Sequence, residues 1–217
     1  MIFEDFKNTV LDEFPDVTEV QMERFRAMDA LYRDWNSKIN VISRKDIDGF
    51  YDHHVLHSLG IAACWKREGV RTDGRSVLDL GTGGGFPGIP LAVMFPDMTF
   101  TLCDSIGKKI LVAGEVARSL GLDNVVAVNA RAESLDSSFD FVVSRAVTSL
   151  ENFYPWVKGK YSDAVYYLKG GDVNEEISNL MKRWKIRKGS VHTWRMDEWL
   201  EDEYYKEKFV IIIDNQQ

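Results

Sequence analysis

The sequence predicts an α/β protein, a doubly wound parallel sheet preceded by a helical cap. Three observations carry this. Residues 1–72 read only as helices, and from residue 73 onward short β-rich runs alternate with helical ones. One apolar strand runs straight into a turn with four glycines, Gly81-Thr82-Gly83-Gly84-Gly85.

In order along the chain, Phe3, Phe6, Val10, Leu11 and Phe14 recur at helical spacing, as do Met22, Phe25, Met28, Leu31, Tyr32 and Trp35. A third helical stretch runs from Ile47 to Trp65, with Gly69 to end it. Strands follow at Ser76–Leu80, Thr99–Cys103, Val125–Asn129, Phe139–Ser144 and Ala164–Leu168. Helices lie between and after them near Gly88–Phe95, Lys108–Leu120, Ser149–Val157 and Val173–Trp184. Val191–Trp194 and Phe209–Ile213 are expected to close the sheet edge as antiparallel strands. The expected domains are a cap over 1–72 and a ligand-binding unit over 73–217.

With 45% hydrophobic residues the chain can bury a full core, which excludes general disorder. Apolar stretches such as Phe86 to Phe95 fall far short of the roughly 20 residues a bilayer crossing needs. The stretch MIFEDFKNTVLDEF has neither the basic start nor the apolar run of a signal peptide. Cys64 and Cys103 make no disulfide framework. A cytoplasmic protein is expected.

The net charge is −7, which argues against a non-specific grip on nucleic acid. Residues 151–188 run against that trend, with eight cations to five acids. Such a segment is either a docking face or a solvated one.

The turn Ser76-Val77-Leu78-Asp79-Leu80-Gly81-Thr82-Gly83-Gly84-Gly85-Phe86-Pro87-Gly88 carries the most chemistry. Glycines serve where φ is positive and where backbone must approach a ligand without a Cβ. The carboxyl end of a parallel strand is where cofactors sit. Two templates fit. Gly83-x-Gly85-x-x-Gly88 matches the dinucleotide fingerprint, which implies an NAD(P)-linked oxidoreductase. Asp79-x-Gly81-x-Gly83-x-Gly85 resembles the first motif of S-adenosylmethionine-dependent methyltransferases. Asp104, at the next strand end, suits a ribose in either reading. The acid at Asp79 and the helical start favour the methyltransferase.

The stretches VLDLGTGGGFPGIPLAVMFPDMTFTLCDSIGKK, NARAES, FDFVVSRAVTSL and YYLKGG resemble the RsmG family, also called glucose-inhibited division protein B. LYRDWNSKIN and HHVLHSL upstream fit as well, so the likeness spans Leu31 to Gly171. It implies a Rossmann-like class I S-adenosylmethionine-dependent methyltransferase fold with an N-terminal helical cap. It also implies methylation of N7 of a guanine in 16S ribosomal RNA of the bacterial small subunit. Carried over by position, it implies cofactor contacts from Gly81, Gly83, Gly85, Phe86, Asp104, Ala132, Glu133 and Arg145. His57 stands where the family often has an acid.

Arg131, Arg145 and Lys169 each follow a predicted strand and are expected to converge on one rim as substrate-facing, catalytic cations. His53, His54 and His57 share a helix face, but no acid or cysteine cluster completes a metal site, so no metal is expected. Cys103 reads as a buried structural thiol, Trp35 as packing, and Asp197 to Glu203 as a solvated helix face. No Asn/Asp-Pro-Pro-Tyr/Phe motif occurs, which fits a target nitrogen with an in-plane lone pair. A monomer is expected, with the small ribosomal subunit or its RNA as partner and no membrane. A non-catalytic RNA-binding module is disfavoured, because a binder has no need of the glycine turn.

Overall fold

The computed structural model describes residues 1–215. The cap opens with α1 (Phe3–Glu13) and α2 (Glu19–Lys38), each burying the apolar stripe seen in the sequence, with Phe6, Val10, Phe25, Met28 and Tyr32 fully buried. The third helical stretch is not one regular helix. A 3-10 turn, Ile47–Gly49, leads into a π-helical segment, Phe50–Leu56, which continues as α3 (His57–Glu68). Such segments are rare and gather at functional sites.

The sheet strands are β1 (Ser76–Leu80), β2 (Thr99–Asp104), β3 (Val125–Asn129), β4 (Phe139–Arg145), β5 (Tyr161–Gly170), β6 (Val191–Arg195) and β7 (Lys208–Asp214). They are linked by α4 (Gly88–Met94), α5 (Gly107–Ser119), α6 (Leu150–Val157) and α7 (Asn174–Trp184). The order across the sheet is β3-β2-β1-β4-β5-β7-β6. β1 to β5 are parallel, and β7 returns antiparallel between β5 and β6. The strand order therefore reverses between β1 and β4, the switch point where ligands bind in such sheets.

Strand alternation divides the interior in two. Val77, Phe100, Phe141 and Tyr166 join α2 to α5 in one core, while Leu78, Val142, Val165 and Tyr167 join α6 and α7 in the other. The cap shares the first core, with Trp65 of α3 packed on Phe141 and Tyr166 at ring separations of 5.3 and 5.4 Å. The expectation of a solvated helix over Asp197 to Glu203 is corrected. Met196–Glu198 is a 3-10 turn, Met196 and Leu200 are buried, and Trp199 packs edge-on against Phe14 at 5.8 Å. Apolar residues at 196, 199 and 200 outweigh the intervening acids and seat the tail on the cap. No helix among the described residues is long and apolar enough to cross a membrane.

Candidate functional site

The glycine turn is held from below by two carboxylates. Asp79 Oδ2 accepts the Thr82 hydroxyl at 2.6 Å and the Gly88 N–H at 2.7 Å. Asp104 accepts the Gly83 N–H at 3.0 Å and the Ile106 N–H at 2.8 Å. Gly83 has φ +58° and nothing within 4 Å of where a Cβ would stand. Burial lifts the Asp79 carboxyl to about 7, against the opposing hydrogen bonds from Thr82 and Gly88.

Above the turn lies a cavity of about 340 Å³. Gly81, Asp104, Ile106, Arg131, Ala132, Glu133 and Trp156 are among its walls. The loop after β4 closes one side. Ala146 takes φ +45°, and a Cβ on Gly81 would collide with Val147. Gly81, Asp104, Ala132, Glu133 and Arg131 are thus brought to one place. Gly85 and Phe86 face the other way. A Cβ on Gly85 would lie 2.9 Å from the Tyr32 hydroxyl, and Phe86 is buried among Tyr32, Phe50 and His54.

The three basic residues do not converge on one rim. Arg131 is exposed at the cavity. Arg145 points to the cap: it donates to the His53 carbonyl and to His54 Nδ1, both at 3.3 Å, with Cζ 5.1 Å from the centre of the Phe86 ring. Lys169, on the opposite face of the sheet, donates to Glu176 at 3.1 Å and to the Thr148 carbonyl at 3.4 Å. The reason is strand alternation. Arg145 pairs in register with Leu168, so Lys169 is one residue out of phase and projects from the other face. Glu176 in turn accepts the Leu150 N–H, so Lys169 serves to hold the loop between β4 and α6.

The histidines form a second cluster next to Arg145. His53 Nδ1 and His54 Nε2 lie 2.5 and 2.8 Å from the two oxygens of Asp46. Since His54 Nδ1 accepts from Arg145, its proton sits on Nε2 and points to Asp46. Burial and then Arg145 lower the His54 pKa to about 4, and burial holds His57 well below its usual value. Buried His57 leaves Nε2 without a partner. Tyr204 from the tail stacks on His53 at 4.0 Å, and Lys208 Nζ lies 4.7 Å from the centre of the Tyr204 ring. Tyr204 carries no signal in its local sequence, since only the fold brings residues this far apart together. Among the described residues, no group of three or more His, Cys, Asp or Glu side chains is placed to hold a metal ion. Cys103 is buried, its thiol 3.4 Å from the Ala130 carbonyl.

The family model described as rRNA small subunit methyltransferase G matches residues 21–198. That reaches further at both ends than the likeness over Leu31 to Gly171. The chain is 46% identical over 210 residues to ribosomal RNA small subunit methyltransferase G of Flavobacterium johnsoniae, covering 93% of this chain and 95% of that one. The same-named protein of Bacteroides fragilis is 48% identical over 212 residues, covering 94% and 98%. Among solved structures, an S-adenosylmethionine-dependent methyltransferase from Aquifex aeolicus superposes with a TM-score of 0.57 at 19% identity, covering 80% of this chain and 98% of that one. Magnesium protoporphyrin IX methyltransferase from Synechocystis PCC 6803 gives 0.61 at 11%, covering 92% and 99%. These two likenesses show the Rossmann-like class I methyltransferase fold. The oxidoreductase alternative finds no support, and the geometry agrees: Gly85 faces the cap and Gly88 is committed to Asp79. On the match over 21–198 and the identity across nearly its whole length, the chain belongs to the rRNA small subunit methyltransferase G family.

Proposed function

We propose that this protein is an S-adenosylmethionine-dependent methyltransferase acting on N7 of a guanine in 16S ribosomal RNA, as a cytoplasmic monomer without a metal. One observation carries the reading. In a chain of this family, the cavity at the β1/β4 switch point is built on a glycine turn whose Gly83 leaves open the space a Cβ would fill.

The residues present fit the cofactor. Gly81 and Gly83 offer close backbone approach to its methionine part. Each Asp104 oxygen accepts one backbone N–H and retains a lone pair for a ribose hydroxyl. Ala132 and Ile106 give apolar walls for an adenine, with Glu133 at the edge. When bound, S-adenosylmethionine supplies a methyl group activated on a sulfonium centre.

The chain's own part is alignment. Guanine N7 carries an in-plane lone pair and no proton, so no general base is required. Buried His54 and His57, both held below their usual pKa, agree with that, since neither carries a proton to give at neutral pH. Arg145 offers a planar pair of donors suited to guanine O6, which leaves N7 facing the cavity. Tyr32 and Phe50 back the Phe86 ring beneath Arg145, and so hold the guanidinium in place.

The test has two arms. Calorimetry should show binding of S-adenosylmethionine and none of NAD(H). Mass spectrometry of ribosomal RNA should find one N7-methylated guanine in the small-subunit RNA of cells with the protein, and none without it. Identical RNA from both strains would overturn the proposal.

A further inference from the structure

The cations of the basic segment singled out in the sequence lie outside the cavity's walls, and the fold gives them a location. α6 reaches the cavity with Trp156 and is capped by Lys158, and α7 runs alongside to end at Trp184. Trp184 Nε1 donates to the Glu151 carbonyl at 2.9 Å, and Lys158 Nζ lies 5.8 Å from the centre of the Trp184 ring. Residues far apart in sequence thus meet at the amino ends of the parallel strands. There Lys158, Lys182, Arg183, Lys185, Arg187 and Lys188 are all exposed. Between Glu176 and Asp197 the chain has no acid at all. Glu151 approaches Arg183 at 3.9 Å.

The knuckle is ordered. Ile186, in its middle, is buried against the second core and donates its N–H to the Met181 carbonyl at 3.1 Å. Lys185 closes α7 with φ +52°, a position where glycine or asparagine is the usual residue. A cation therefore stands where the backbone favours glycine, at some cost in strain. Trp156, near the end of α6, lines the cavity, so the knuckle follows directly on a cavity wall.

We propose that this knuckle docks the phosphate backbone of the ribosomal RNA flanking the target guanine, the partner whose charge complements six clustered cations on an acidic protein. The proposal rests on the methyltransferase reading above. Its role is grip and register, with no contact to the reacting atoms.

The test measures binding of deproteinised small-subunit RNA over a salt series from roughly 50 to 200 mM. Wild type is compared with Lys182→Glu/Lys185→Glu/Lys188→Glu and with Lys185→Gly, which removes a cation while relieving strain, so its weaker binding cannot come from misfolding. The triple variant should bind at least tenfold more weakly at low salt. Its slope of log K against log salt should be shallower by about one per lysine lost. S-adenosylmethionine affinity and turnover at saturating RNA should stay unchanged. An unchanged slope, or no wild-type binding even at low salt, overturns the docking surface. So does a loss of binding to assembled subunits alone, which would assign the knuckle to an acidic ribosomal protein. Failure of wild type to methylate either substrate sinks the functional reading instead, and is read out separately.

Discussion

Asp79, one residue before the end of β1, is fully buried, and desolvation raises its carboxyl to about 7 in spite of the Thr82 and Gly88 hydrogen bonds. An unfolded aspartate titrates at about 3.9. Between those values the folded chain keeps a proton that the unfolded chain has released. Asp79 therefore lends stability at the acid end that is lost as pH rises from about 4 to about 7. Buried His54, lowered to about 4, acts in the opposite direction, since its contribution is lost as pH falls below about 6.5. The clean measurement is the difference between wild type and Asp79→Asn in chemical denaturation at several pH values. That difference should drop steadily between pH 4 and 7 and then level off. A flat difference would mean that Asp79 is ionised throughout. Arg145 lies outside the cavity walls, so Arg145→Ala should leave S-adenosylmethionine affinity intact and cut turnover roughly ten- to a hundredfold, the scale of a lost bidentate base contact. Arg145→Lys should restore little, because a single ammonium lacks the paired donors. Loss of cofactor binding in either variant would reassign Arg145 to the cofactor.

At the scale of elements, the start of α2 does double duty. Thr18 and Gln21 form a reciprocal capping box, and Gln21 Nε2 also donates to the Val93 and Met94 carbonyls, both at 2.9 Å. One cap thus satisfies α2 and ties it to the end of α4. Thr18→Ala should lower stability by about 1 kcal/mol and the melting temperature by about 2–4 °C, with cofactor affinity unchanged. A larger drop would show that the box also holds the α4 contact in place. The glycine turn responds the other way. Gly83→Val places a branched side chain at φ +58° in open space, so the fold should survive with strain of about 1–3 kcal/mol. Cofactor binding should disappear. A folded variant with wild-type affinity would move the cofactor away from this turn.

For the whole molecule, the shared core decides how the cap behaves. Met28 of α2 is fully buried in the same core as Phe100 of β2 and Tyr166 of β5. Cap and sheet should therefore melt in a single calorimetric transition. Met28→Ala should lower that transition by roughly 4–20 °C, from a cavity cost of about 2–5 kcal/mol. Two separable transitions, with only one shifted, would establish the cap as an independent unit.

Periodicity alone determined most elements here, because each strand and helix repeats its apolar residues at the spacing its own geometry demands. The strand ends at Leu80 and Asn129 agree with the structure to the residue. The glycine turn was legible too, since positive φ leaves a direct mark on residue choice. Three things were not legible locally. The π-helical segment Phe50–Leu56 carries an ordinary helical pattern, and its departure brings both His53 and His54 onto Asp46. The directions of Arg145 and Lys169 depend on register between neighbouring strands, which set them on opposite faces of the sheet. The tail's acids hid the burial of Met196 and Leu200, which only a seat on the cap provides. Sequence records what a residue must satisfy along its own element. Which distant groups it meets is decided by packing, because contacts such as Tyr204 on His53 join positions that no local pattern links.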